Sequence, residues 1–207
     1  IYKREPSFPI AVACDPAFNF VYEANIRYLH HLGEVTYFSP LADTSLPDAG
    51  FVYLPGGYPE LYLAALSANR QMLQSIRRYV ESGGKLLAEC GGMMYLCDEI
   101  RDKNGDVYPM AGVLHQSATM ENMKLRLGYR TLLYNETRLK GHEFHYSRLV
   151  EQQNPLPSCA VAYTAKGVET DTPLYHYKNV WAGYTHLYWA DPVGNEWFTK
   201  FVIDGNT

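Results

Sequence analysis

The sequence predicts an open, doubly wound α/β sheet, mostly parallel, with helices on both faces and antiparallel strands appended in its second half. Three observations predict it. The unbroken apolar run Pro9-Ile-Ala-Val-Ala-Cys14 reads as a strand buried on both faces, and Phe51-Val-Tyr-Leu54 and Lys85-Leu-Leu-Ala-Glu89 read as further short apolar strands. Segments with helical spacing alternate with them. After residue 105 the pattern changes to a tyrosine-rich alternation with period two, as half-buried strands have it.

Taken in order, the 9–14 strand ends at Asp15-Pro16. Apolar residues at 21, 24, 28, 29 and 32 then give a helix, which Gly33 closes. Glu34 to Phe38 is the second strand, stopped by Ser39-Pro40, and residues 41 to 49 form a loop. Phe51 to Leu54 runs straight into Pro55-Gly-Gly-Tyr-Pro-Glu60. Residues 61 to 82 are helical in two pieces, with Ser67 or Asn69 as the cap between them. The 85–89 strand and its helix follow. Strands are expected over 107–119, 127–134, 142–150, 160–165 and 175–188. Turns are expected at Asn104-Gly105, Lys140-Gly141, Pro155 to Pro157 and Lys166-Gly167. A short helix over 195–203 closes the chain.

Composition sets the bounds. With 47% hydrophobic residues among 207, the chain can fill one core, and no linker divides it, so 1–207 reads as one domain. A net charge of -4 and the lack of a basic stripe argue against nucleic acid as a partner. No run is long enough to span a membrane, and no signal peptide opens the chain. Cysteines at 14, 90, 97 and 159 show neither CxxC spacing nor a disulfide framework, so a reducing cytoplasmic setting is expected. The first residue is Ile1, which suggests a segment of something longer.

Asp15, Gly56-Gly57 and Cys90 all fall at strand carboxyl ends, where open α/β sheets bind ligands. Cys90 stands between a strand and a helix and is followed by Gly91-Gly92. A nucleophile on such a turn stands clear of the sheet, and the helix start favours its thiolate. A cysteine nucleophile needs a base and an oxyanion hole. Of the seven histidines, His30 and His31 belong at an exposed helix end, His176 has no special context, and His115 is open to either role. His142 and His145, three apart on a strand, face opposite sides and make poor joint metal ligands. No zinc-type spacing occurs, and no metal is expected in this chain. His186, where an apolar strand meets Asp191-Pro192, is one of three reasonable candidates for the base.

Pro55-Gly-Gly-Tyr-Pro-Glu60, Ala88-Glu-Cys-Gly-Gly92, Gly141-His-Glu-Phe-His-Tyr-Ser147 and Gly183-Tyr-Thr-His-Leu-Tyr188 stand in one order across the chain. Together they resemble the class I, cobyrinate-type glutamine amidotransferase domain of the cobyrinic acid a,c-diamide synthase family. Ala17-Phe-Asn-Phe20 and Phe38-Ser-Pro-Leu-Ala-Asp43 fit the same family, so the resemblance covers about residues 9 to 191. It implies a flavodoxin-like fold and L-glutamine as substrate. It implies that Cys90 is the nucleophile, that His186 moves the proton, and that Gly56, Gly57 and Gly91 form the oxyanion hole. It also implies a preceding synthetase domain, absent here, that uses ATP and magnesium to activate the a- and c-carboxylates of cobyrinic acid. No cofactor is expected in this chain itself.

Two departures matter. Tyr188 stands where many class I relatives carry a glutamate, which leaves the group that orients His186 unassigned. Met94 stands where a glutamine is common. Glu143 and His145 read as structural or domain-contact residues. The alternatives are an amidase for cobyric acid or nickel sirohydrochlorin, a cysteine hydrolase of the same fold without glutamine, and a non-enzymatic binding module.

Overall fold

A computed structural model describes residues 8–204. The first half of the chain contains β1 (Pro9–Ala13), α1 (Glu23–Leu32), β2 (Glu34–Phe38), β3 (Phe51–Leu54), α2 (Leu63–Ala68), α3 (Arg70–Glu81), β4 (Lys85–Glu89) and α4 (Gly91–Leu96). The second half contains β5 (Glu99–Arg101), β6 (Val107–Pro109), β7 (Ser117–Thr119), β8 (Arg126–Tyr134), β9 (Thr137–His145) and β10 (Arg148–Leu149). It closes with β11 (Val161–Thr164), β12 (Glu169–Thr170), β13 (Leu174–Tyr177), β14 (Val180–Gly183), β15 (His186–Leu187) and α5 (Pro192–Thr199).

The central sheet runs β13-β14-β4-β3-β1-β2, and every pair is parallel except β13 with β14 at one edge. Alternate residues of the buried strands feed two apolar layers. Ile10, Val12, Phe51, Tyr53 and Leu87 pack with Leu29 of α1 and Trp197 and Phe198 of α5. Ala11, Ala13, Val52, Leu54, Leu86 and Ala88 pack with Leu66, Met72, Ile76, Val80 and Met93 of the opposite helices. Both faces are thus covered, as the unbroken apolar strands require. Asn69 caps α3 by accepting from the Met72 N–H at 3.4 Å, and Asp191 caps α5 by accepting from the Gly194 N–H at 2.7 Å.

The second half adds a five-stranded sheet, β12-β11-β8-β9-β15, and a four-stranded one, β10-β7-β5-β6. Three of the expected strands take a different form. The 107–119 run breaks into β6 and β7, because the backbone N–H groups between them serve a helix end. Ala111, Gly112 and Val113 donate to the carbonyls of Tyr95, Cys97 and Leu96 at 2.8–3.0 Å, which satisfies the C-terminus of α4. The 142–150 run divides into the end of β9 and the short β10, and 175–188 divides into β13, β14 and β15.

Lys140-Gly141 is no turn but lies inside β9, and the hairpin turn falls at Asn135-Glu136, with Asn135 at φ 51°. Gly141 has another task. A Cβ there would lie 2.3 Å from the His186 carbonyl oxygen, so only glycine lets β15 come this close.

Gly92 tests the packing of α4 on the sheet. A Cβ at this position would lie 2.1 Å from the Leu54 carbonyl oxygen, a backbone atom that cannot swing away. Gly92→Ala is expected to destabilise the fold by about 1–3 kcal/mol, read as a lower urea midpoint at unchanged slope.

Candidate active site

Cys90 caps α4 with φ 50° and ψ −108°, a strained conformation for a residue with a side chain. Its own N–H is spent on the Gly183 carbonyl at 2.7 Å, and its carbonyl accepts from Met94 at 3.0 Å. The sharp turn is therefore fastened on both sides. The thiol is buried, and Sγ lies 3.6 Å from the Phe144 carbonyl oxygen.

Burial pushes the Cys90 thiol well above its ordinary value. The negative charge of Glu60 adds to this, and smaller contributions come from Glu89 and Glu143. The backbone N–H of Gly91 opposes them. The sequence suggests a helix-stabilised thiolate, but here desolvation outweighs the helix start. A six-residue helix offers little dipole against the loss of water.

Gly56-Gly57 sits between the nucleophile and His186. A Cβ on Gly56 would lie 2.1 Å from His186 Cε1, so the imidazole occupies the space that a side chain would take. On the other side, the Gly57 carbonyl oxygen lies 3.1 Å from the Cβ position of Gly91. Gly57 itself has φ 155° and packs against the Ala17 carbonyl. The turn is clamped in place, since Phe20 N–H donates to the Gly56 carbonyl at 3.1 Å and Tyr58 N–H to that of Ala17 at 3.0 Å. Gly56 thus lies close against the His186 ring and Gly57 close against Gly91, which Cys90 adjoins.

Asp15 lies at the carboxyl end of β1 as expected, but its oxygens are occupied. Oδ1 accepts from Ala17 and Phe18 N–H at 2.8 and 3.2 Å, and Oδ2 accepts from Ser39 Oγ and Leu41 N–H at 2.9 Å. It shapes the loop that clamps Gly56.

His186 is buried, with the Phe20 ring 4.5 Å away edge-on. Burial, reinforced by the charges of His142 and His145, lowers its pKa to about 4. The ring is therefore neutral near pH 7 and able to accept a proton. Nδ1 is buried and has no hydrogen-bond partner among the described residues. Tyr188 offers no acid, and its ring lies 5.8 Å from that of Tyr22.

The other histidines divide cleanly. His30, His31 and His115 are exposed, and the His176 ring stacks on Trp181 at 4.1 Å. His145 is buried, stacked on Tyr184 at 3.7 Å, with Nδ1 2.8 Å from the Ser147 carbonyl and Nε2 2.7 Å from Glu143. Arg130 and Thr172 also bond Glu143, at 2.5 and 2.8 Å. Burial alone would raise the Glu143 carboxyl, but these bonds and the charges of His145 and Arg130 bring it below its usual range. Glu143, His145, Ser147, Tyr184, Arg126 and Arg148 wall a cavity of about 630 Å³, and neither Cys90 nor His186 reaches that wall. Met94 is buried, and its sulfur accepts from Ser147 Oγ at 3.2 Å.

Sequence reasoning missed Glu60 and Glu89, the two carboxylates nearest the nucleophile's electrostatics. Glu89 stands out in the sequence only as an acid beside the nucleophile, and nothing in the sequence gives its role.

The family model described as the CobB/CobQ-like glutamine amidotransferase domain matches residues 9–193. Hydrogenobyrinate a,c-diamide synthase of Pseudomonas aeruginosa is 40% identical over 185 residues, covering 86% of this chain and 41% of that protein. Cobyrinate a,c-diamide synthase of Fusobacterium nucleatum is 40% identical over 188 residues, with the same two coverages. The chain therefore spans about two fifths of the length of these relatives. Among solved structures, a glutamine amidotransferase from Thermotoga maritima aligns with TM-score 0.56 at 12% identity, covering 96% of this chain and 83% of that one. Another glutamine amidotransferase crystal structure aligns with TM-score 0.58 at 17% identity, covering 93% and 98%. These two share the fold.

Thiol reactivity follows from burial. Near pH 8, iodoacetamide is expected to alkylate exposed Cys14 first and buried Cys90 and Cys97 last, followed by peptide mass spectrometry. Because the Cys90 thiol is pushed up, its alkylation rate is expected to keep climbing above the ordinary thiol range.

Proposed function

This chain belongs to the family of CobB/CobQ-like glutamine amidotransferase domains, and on that premise we propose that it is the glutaminase part of a corrin a,c-diamide synthase. It would hydrolyse glutamine and supply ammonia for amidation of the a- and c-carboxylates of cobyrinate or hydrogenobyrinate. The observation that carries this reading is the close approach of Gly56 to the His186 ring and of Gly57 to Gly91, which Cys90 adjoins. Relatives named for either acceptor are equally similar, so the reading extends to both.

In this reading Cys90 Sγ attacks the side-chain amide carbon of glutamine, and neutral His186 takes the thiol proton. The oxyanion is held by backbone N–H groups of the Gly56-Gly57 turn and of Gly91. One such donor is typically worth about 3–4 kcal/mol. Collapse of the tetrahedral intermediate expels ammonia, which leaves with the proton from His186. Water, activated by the same imidazole, then hydrolyses the γ-glutamyl thioester to glutamate and free thiol. The chemistry that would activate the acceptor with ATP and magnesium is assigned to the remaining length of such a protein, in the cytoplasm.

A raised thiol and a lowered imidazole disfavour the ion pair in the closed site. Both groups are nearly inaccessible to solvent. On this basis the chain alone is expected to hydrolyse glutamine poorly, with turnover rising when the rest of the protein is present.

The test uses the full-length protein with ATP, corrin acceptor and either glutamine or free ammonia. Cys90→Ala is expected to cut glutamine-dependent amidation to less than about one thousandth and to leave ammonia-dependent amidation intact. Diazo-norleucine is expected to label Cys90. Glutamine-dependent activity that survives Cys90→Ala would overturn the reading.

A further inference from the structure

We infer that Glu89 is the positioning residue for His186, acting on the backbone of Leu187 instead of on the imidazole. The inference rests on the glutaminase reading above and supplies what that reading lacks. His186 has no acid at position 188, and its Nδ1 has no partner among the described residues. Beyond the packing of its ring on Phe20 and Gly56, its orientation comes from the peptide on which it stands.

That peptide is held by buried side chains. Leu187 N–H donates to Glu89 Oε1 at 3.0 Å, and the Leu187 carbonyl accepts from Asn25 Nδ2 at 2.8 Å. Asn25 Oδ1 in turn accepts from Trp189 N–H at 2.9 Å. Tyr53 Oη donates to Glu89 Oε2 at 2.6 Å, so both carboxyl oxygens are engaged. Gly141, the partner of Leu187 in the β9–β15 pairing, closes the remaining side.

The placement of Glu89 in the chain makes the link useful. Successive residues of β4 point to opposite faces, so Cys90 joins the layer of α2 and α3 while Glu89 enters the layer of α1 and α5. Glu89 is covalently joined to the nucleophile and hydrogen-bonded to the neighbour of the base. One residue thus ties the strand of the nucleophile to the strand of the base. A buried carboxyl is costly unless its oxygens are satisfied, and a purely structural position in this apolar layer would be filled by leucine or valine.

Burial raises the Glu89 carboxyl to about 8, against the hydrogen bonds from Tyr53 and Leu187. Glutamine is its near-isostere and the informative conservative variant.

The experiment is run on the full-length enzyme with kcat and KM for glutamine measured separately, and with ammonia-dependent amidation as the check on folding. Glu89→Ala is expected to lower glutamine-dependent kcat about 100-fold, the cost of a small misplacement of a reacting group, with KM for glutamine changed less than about 3-fold. Glu89→Gln is expected to recover activity to within about 5-fold of wild type, because its amide oxygen still accepts from Leu187. Tyr53→Phe frees one carboxyl oxygen and leaves the Leu187 bond, and is expected to lower kcat less than Glu89→Ala does. If Glu89→Ala does not fold, Glu89→Gln and Tyr53→Phe decide between the outcomes. An unchanged kcat in Glu89→Ala overturns the inference, as does equal loss in the alanine and glutamine variants, or, where the alanine variant cannot be measured, a loss of about 100-fold in Glu89→Gln or Tyr53→Phe, both of which keep the Leu187 bond. Failure of the glutaminase reading looks different, since then the wild-type enzyme releases no ammonia from glutamine at all.

Discussion

The constraint on which the structure depends is the backbone of Cys90, held at φ 50° and ψ −108°. Such a conformation costs roughly 1–3 kcal/mol, and it persists only where the surroundings over-determine it. Here the Cys90 N–H is taken by Gly183 on the adjacent parallel strand, and its carbonyl starts α4. Helix α4 is only six residues long and could not hold the turn alone. It is held because Gly92 lets it lie on the Leu54 carbonyl and because the Ala111–Val113 backbone caps its far end. The irregular stretch after β6 is therefore part of the nucleophile's support.

Fastening the turn has an electrostatic consequence. The elements that hold Cys90 also exclude water from it, and the same enclosure covers His186. Burial moves the two groups in opposite senses, the thiol up and the imidazole down to about 4, so both rest neutral. A site built this way is chemically quiet until something changes its surroundings. Glutamine entering the site would itself alter the dielectric and supply new hydrogen bonds. In the proposed glutaminase, a resting state of low reactivity would limit wasteful hydrolysis.

Much of this was legible in the sequence, for identifiable reasons. The inner parallel strands β1 and β3 are buried on both faces and so announce themselves as unbroken apolar runs. The glycines flanking Cys90 and the Pro55-Gly-Gly turn mark places where backbone must approach backbone. Gly141 was misleading because glycine serves turns and close approaches alike. The sequence shows the residue, while its reason, the His186 carbonyl, lies 45 positions away. The fragmented strands of the second half were harder still. There the alternation persists while pairing partners change, so period alone does not mark where one strand stops.

Glu89 was illegible for a related reason. Its effect on the site passes through a main-chain hydrogen bond to Leu187, and main-chain donors leave no trace in residue identity. A search for a third catalytic member looks for an acid close in sequence to the histidine, and Tyr188 fails that search. The fold supplies the acid from the other side, next to the nucleophile and across the parallel β4–β14 pair. An imidazole can be oriented through its ring or through its peptide. The second route needs a rigid strand under the histidine, and β15 meets that need with Gly141, Asn25 and Glu89 on its different sides. The unpaired Nδ1 of His186 is then the consequence of an orientation fixed elsewhere, and it leaves the imidazole's proton exchange governed by burial and by the substrate.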